Sequence, residues 1–146
     1  MSTYCTRADI EALAGIGNVA KWGDLEGHGD ATEITARITR AIAVASDALD
    51  SRLLGGPYDI ADILDTPSTP TIIEDVCAKL SAAWLEESRR LGASEDTEKL
   101  ETAHFRKDAM LTIRELRAGK VRIVGLTPKT GVPEKVTDPD EEDWFV

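Results

Sequence analysis

The side chains able to do acid–base, nucleophilic or metal chemistry are few in this sequence and poorly grouped. There are two histidines, His28 and His104, and two cysteines, Cys5 and Cys77. His104 falls beside the apolar stripe of a helical segment, where a satisfied core-edge imidazole is expected. Cys77 lies on another such stripe, and desolvation there disfavours the thiolate that nucleophilic attack requires. The two cysteines read as buried, idle thiols of a chain kept in a reducing compartment. No Gly-x-Ser-x-Gly elbow, Walker motif or dinucleotide fingerprint occurs, and Gly15-Ile16-Gly17 separates a helix from a loop rather than a strand from a helix.

One loop has the residue types of a cation site. Asp24-Leu25-Glu26-Gly27-His28-Gly29-Asp30 places possible ligands at every second residue with a glycine sixth, like the first half of a calcium-binding helical-hairpin loop. The twelfth position, where a bidentate Glu belongs, is Thr35, and the fifth is His28, a poor ligand for a hard cation. A zinc site there lacks a second His or Cys. The loop reads as a turn into the next helix. Asp47 and Asp50, one turn apart, read as a solvated pair. No catalytic residue, metal or cofactor is expected, and the chain reads as a non-enzyme.

Composition narrows the partners. Seventeen basic against twenty-seven acidic residues give a net charge of −10 over 146 residues. Tight duplex-DNA binding needs a basic footprint, and docking on an anionic membrane needs basic clusters. No apolar run reaches the ~18 residues of a membrane span, and Met1 to Ile10 lacks a signal-peptide profile. The expectation is a soluble chain with one core.

The elements that position these residues are mostly helical. Thr6 and Asp9 form a capping box for a short helix reaching Ala14, stopped by Gly15 and Gly17. Asn18 to Asp30 carries three glycines and reads as a loop anchored by Trp22 and Leu25. Thr32 to Leu54 is the clearest helix, with Ile34, Ile38, Ala41, Ile42, Ala45, Leu49 and Leu53 on one face. Gly55-Gly56-Pro57 ends it. Pro57 to Ser68 reads as a loop too apolar to hang free. Its Tyr58, Ile60, Ile63 and Leu64 are candidate contacts for a neighbouring subunit.

Thr69 and Pro70 open a third helix with Ile72, Ile73, Val76, Cys77, Leu80, Ala83 and Trp84 inward, and Glu86, Glu87, Arg89 and Arg90 as a solvated end closed by Gly92. A fourth helix from Ser94 carries Leu100, Ala103, His104, Met110, Leu111, Ile113 and Leu116 on its buried side and stops at Gly119. Val121 to Val124 suits one short strand. The fold class expected is all-α: a bundle of about four helices, one short and three long, with a short C-terminal strand and an extended tail. Residues 1–126 form the helical domain and 127–146 the tail. The tail holds an acidic run, Asp138 to Asp143, before Trp144-Phe145-Val146, and reads as a docking peptide with an aromatic tip.

The order of motifs resembles one known family. Thr6-Arg7-Ala8-Asp9-Ile10 opens the chain, Ala45-Ser46-Asp47-Ala48-Leu49-Asp50-Ser51-Arg52-Leu53 runs down to Gly55 and Tyr58, and Ala118-Gly119-Lys120 closes the last helix. This is similar to the head–tail connector (adaptor, head-completion) proteins of tailed bacteriophages, Mu-like branch. Their pattern is Thr-x-x-Asp-Leu, Ala-Ser-x-x-Ile-Asp-x-x-Leu with Gly-x-Tyr, and a final Gly-Lys. Gly56-Pro57 lengthens the Gly-x-Tyr step, and the similarity covers residues 4 to 125. The resemblance implies a ring of about twelve copies beneath the portal protein, extending the DNA channel and receiving the stopper or tail-completion protein, in virions assembled in the host cytoplasm. DNA would pass without specific binding. From another class, a dimeric helical regulator or a calcium- or metal-binding protein using loop 24–30 are the alternatives.

Overall fold

The computed structural model describes residues 3–89 and 101–129. Those residues form six helices: α1 (Arg7–Ala14), α2 (Ile16–Gly23), α3 (Ala31–Leu53), α4 (Ile60–Leu64), α5 (Thr71–Arg89) and α6 (Ala103–Arg117). Among the described residues the fold is all-α.

The capping box forms as expected. Asp9 N–H donates to the Thr6 hydroxyl at 3.4 Å, and Thr6 N–H donates to the Asp9 carboxylate at 2.8 Å. Gly15, at φ +97°, then turns the chain directly into α2. The expectation of a loop over 18–30 is corrected here, since residues 16–23 are helical. The glycines mislead because Gly23 serves packing: a Cβ on it would meet Ile34 Cγ2 at 3.0 Å, so its absence lets α2 approach α3. Trp22 is the buried anchor, whereas Leu25 is exposed.

α5 is the hub. It packs against α1, α2, α3 and α6, and residues 76–78, 80–83 and 85–86 along it are buried. Its middle is small, Cys77, Ala78, Ser81, Ala82 and Ala83, and α3 presents Ala41, Ala45 and Ser46. Small side chains on both let the helix backbones close up, and the larger Ile38, Leu49, Ile73, Leu85, Ile113 and Leu116 fill the core around them. Helix α5 starts at Thr71 rather than at Pro70. The Pro70 carbonyl accepts from Ile73 and Glu74 N–H, so Pro70 precedes the helix as its cap.

The end of α5 differs from its expected solvated character. Glu86 is buried, and its carboxylate accepts the Thr102 N–H at 2.9 Å and the Thr102 hydroxyl at 2.8 Å. A carboxylate at the amino end of α6 suits the helix dipole. Glu87 takes a two-pronged contact from Arg106, at 2.7 and 2.9 Å. The expected Glu86–Arg90 pairing, the helix start at Ser94 and the stop at Gly92 lie outside the described residues. His104 and Leu111, assigned to the buried side of α6, are exposed, and the His104 ring leans on Phe105 at 4.1 Å. Asp50 is half-buried rather than solvated, because it accepts the Tyr4 hydroxyl.

No strand occurs among the described residues, so Val121 to Val124 is not extended pairing but turn and coil. A lone strand has no partner for its backbone groups. The one buried residue of this stretch, Ile123, donates its N–H to the Tyr58 hydroxyl at 3.0 Å instead.

Candidate interaction surface

The described candidate contact residues, Tyr58, Ile60, Ile63 and Leu64, lie on the α3–α5 connection, where it meets the chain leaving α6. The junction is built from the last turn of α3 outward. That turn leaves carbonyls without helical partners. Arg117, from the end of α6, donates to the Arg52 carbonyl at 2.9 Å and the Leu54 carbonyl at 3.1 Å. A cation at a helix carboxyl end is also favoured by the dipole. The close approach requires glycine at position 56, where a Cβ would stand 3.2 Å from the Leu53 carbonyl and 3.5 Å from Arg117 Cγ. Gly55, at φ +83°, makes the turn.

The connection then splits its apolar residues. Tyr58 and Ile63 belong to the chain's own core. Ile60 is half-buried and Leu64 is exposed. The alternation follows from α4, a single short helix whose inner side carries Ile63 and whose cap region is closed by Thr66 donating to the Ile63 carbonyl at 2.7 Å. Of the four loop candidates, Leu64 and part of Ile60 therefore face outward. Trp144, Phe145 and Val146 lie outside the described residues.

The segment that leads to the tail is fixed beside this connection. Lys129 N–H donates to the Pro57 carbonyl at 2.7 Å, and its ammonium pairs with Asp59 at 2.6 Å. Between the connection and this segment lies a groove of about 830 Å³, lined by Thr66 to Ile72, Asp75, Arg122, Val124 and Gly125. Val124 is 95% exposed at its lip. Sequence reasoning missed Val124 and the groove because the run 121–124, β-branched at three of its four positions, read as a strand. The signal was the same run: β-branched residues with no second predicted strand to pair with.

The remaining chemistry-bearing residues do not gather here. In loop 24–30 the Asp24 carboxylate accepts His28 N–H at 3.1 Å and Gly29 N–H at 2.9 Å, and Asp30 caps α3 through Thr32 N–H at 3.0 Å. Both carboxylates thus organise the turn into α3. Among the described residues no group of three or more His, Cys, Asp or Glu is placed to hold a metal ion. None of the described helices is long and apolar enough to cross a membrane.

Fold and surface together define, over the described residues, a small helical protein with a groove beside the segment that leaves α6. The chain belongs to the family described as Bacteriophage Mu, Gp36, whose model matches residues 4–139, and it is thus a Mu-like phage protein. No curated protein and no solved structure matches the chain.

Proposed function

We propose that this chain is a non-enzymatic head–tail connector, a virion component that forms a ring beneath the portal, extends the DNA channel and joins the head to a stopper or tail-completion protein. Membership of a Mu phage family over almost the whole chain supports a structural or assembly role. The observation that carries the finer reading is the Lys129 anchorage. It ties Lys129, four residues beyond the groove-lining Gly125, to the same α3–α5 connection whose later residues line the groove, which supports a shared contact surface for the outgoing chain.

A closed ring needs two different, complementary faces on each subunit. The groove end, with Leu64 and Val124 outward, supplies one. The segment beyond Lys129, with Trp144 and Phe145 as aromatic anchors, supplies the other contact, made to the portal or to an adjacent copy. The helical bundle is the rigid wedge between them. The net charge of −10 suits a channel through which DNA slides, since few phosphates are neutralised.

Native mass across a concentration series, with and without the portal, tests this. A closed species of about twelve subunits, alone or on the portal template, is the expected result. A strict dimer that ignores the portal would overturn the connector reading in favour of a helical regulator. Removing residues 140–146 is expected to leave the bundle folded and abolish portal docking. Heads completed normally by the truncated protein would refute the role given to the tail.

A further inference from the structure

Two thiols meet in the core. Cys5 lies in the extended segment before α1, and Cys77 lies in the middle of α5. They are 3% and 0% exposed, and the Cys5 thiol donates to the Cys77 sulfur across 2.9 Å. Both are free thiols, and the sequence has no other cysteine. A disulfide has its sulfurs at ~2.05 Å, so about 0.9 Å separates this contact from a bond.

The surroundings favour closure of that gap. Ser46 Oγ stands 3.5 Å from the Cys77 sulfur and Ser81 Oγ 3.8 Å from the Cys5 sulfur, so the pair is ringed by small side chains. Cys5 is on non-helical chain, held beside α3 by Tyr4, whose N–H donates to Ser46 Oγ at 3.3 Å and whose hydroxyl donates to Asp50, whereas Cys77 is held by a helix packed against four others. The hydrogen bond from Cys5 pulls the Cys77 thiol below its ordinary value, against the effect of burial. The Cys5 thiol is pushed up by its bond to Cys77 and by burial. With Cys5 as donor and Cys77 as acceptor in the contact, Cys77 is the first nucleophile of the exchange once the pair is opened.

We propose that Cys5 and Cys77 are a disulfide-forming site, closed by exchange with a small-molecule disulfide, and that the bond staples the N-terminal segment to the central helix. When the segment around Cys5 lifts, the Cys77 thiolate attacks one sulfur of the reagent, whose S–S bond breaks and releases one thiolate. Cys5 then attacks the Cys77 sulfur of the mixed disulfide, and the second reagent thiol leaves. The protein loses two electrons and two protons, and the reagent becomes two thiols. A reducing cytosol keeps the pair open, and an oxidising exterior closes it. That last step, the change of compartment, rests on the virion reading; the exchange chemistry does not.

The test uses the purified full chain incubated with oxidised glutathione or with dithiothreitol. Intact mass is expected to fall by about 2 Da on oxidation, with both thiols lost and no dimer on a non-reducing gel. A non-reducing digest is expected to yield one cross-linked species containing Cys5 and Cys77. The melting temperature of the oxidised chain is expected to rise by about 10 °C or more, because the bond closes a loop across 72 residues. Stable glutathione adducts, an intermolecular disulfide, or two unreacted thiols under conditions that oxidise the urea-unfolded chain would each overturn the proposal. Cys5→Ser, at the segment outside the helices, is expected to stop at a single glutathione adduct on Cys77; an unreactive Cys77 thiol in that variant would also count against the proposal. The ring is tested with both thiols kept reduced by dithiothreitol, so failure of the disulfide and failure of the ring are read separately.

Discussion

Glu86 and Thr102 are both buried, and one carboxylate oxygen of Glu86 accepts both the backbone N–H and the hydroxyl of Thr102. The contact joins the last turns of α5 to the first residue before α6. It satisfies two donors that have no water to turn to. Glu86→Ala leaves both donors without their acceptor, so a loss of about 2–4 kcal/mol is expected. Glu86→Gln keeps a carbonyl oxygen in place and is expected to cost about 1 kcal/mol or less. Urea unfolding of the two variants checks this ordering. Equal losses would mean that the contact is a matter of side-chain volume.

Tyr58 was a candidate partner contact, and the structure gives it an internal task. Its hydroxyl accepts from the N–H of buried Ile123 at 3.0 Å. Tyr58→Phe removes that acceptor while keeping the ring, so about 1–3 kcal/mol of stability is expected to be lost. The thermal melting point of the isolated chain checks it. An unchanged melting point together with lost oligomerisation would return Tyr58 to the partner surface.

Arg37 is placed at a cost. Its guanidinium lies 5.3 Å from the Trp84 ring and donates to the Ser88 hydroxyl at 2.7 Å, but its buried Nε has no hydrogen-bond partner among the described residues. Burial, with the charge of Arg89, holds its pKa below the ordinary value. Arg37→Met keeps an apolar stem on Trp84 and removes the unsatisfied donor, but loses the ring and serine contacts. The opposing effects are expected to leave stability within about 1 kcal/mol of the parent. Trp84→Ala, by contrast, is expected to lose about 3 kcal/mol. Paired denaturation curves distinguish them, and a loss for Arg37→Met as large as for Trp84→Ala would show that the guanidinium contacts dominate.

The parts of the fold legible in the sequence were those fixed by period and punctuation. Ile38, Ala41, Ala45, Leu49 and Leu53 recur at helical spacing and all are buried on α3. Thr6 and Asp9 needed only three residues of context to specify their cap. What escaped was set by contacts distant in sequence. Gly23 reads as a breaker until Ile34 is known to press on it. Glu86 reads as surface until Thr102 arrives sixteen residues later. The same limit applies to the groove end. Tyr58, Ile60, Ile63 and Leu64 are too apolar for a free loop, but which of them point inward depends on α4 and on Ile123. Lys129 carried no local signal at all, because its partners Pro57 and Asp59 lie on the far side of two long helices in the sequence.

The Lys129–Asp59 pair separates stability from proposed function. It is a single ion pair with both side chains substantially exposed, at 40% and 53%, so solvent screening leaves it worth at most about 1 kcal/mol to the folded subunit. The backbone bond from Lys129 to the Pro57 carbonyl persists when the side chain is removed. Lys129→Ala and Asp59→Asn are therefore expected to melt within about 4 °C of the parent. Under the connector reading, however, the ion pair fixes the direction in which the acidic segment leaves the groove end. Losing it returns conformational freedom to that segment, which must be ordered again on docking. Both variants are expected to bind the portal several-fold more weakly, and the charge swap Lys129→Asp with Asp59→Lys is expected to recover much of the loss. Portal binding by calorimetry, alongside melting of the free subunit, makes the comparison. Parental affinity in both single variants would remove the anchorage from the mechanism and leave the tail tip to direct its own docking.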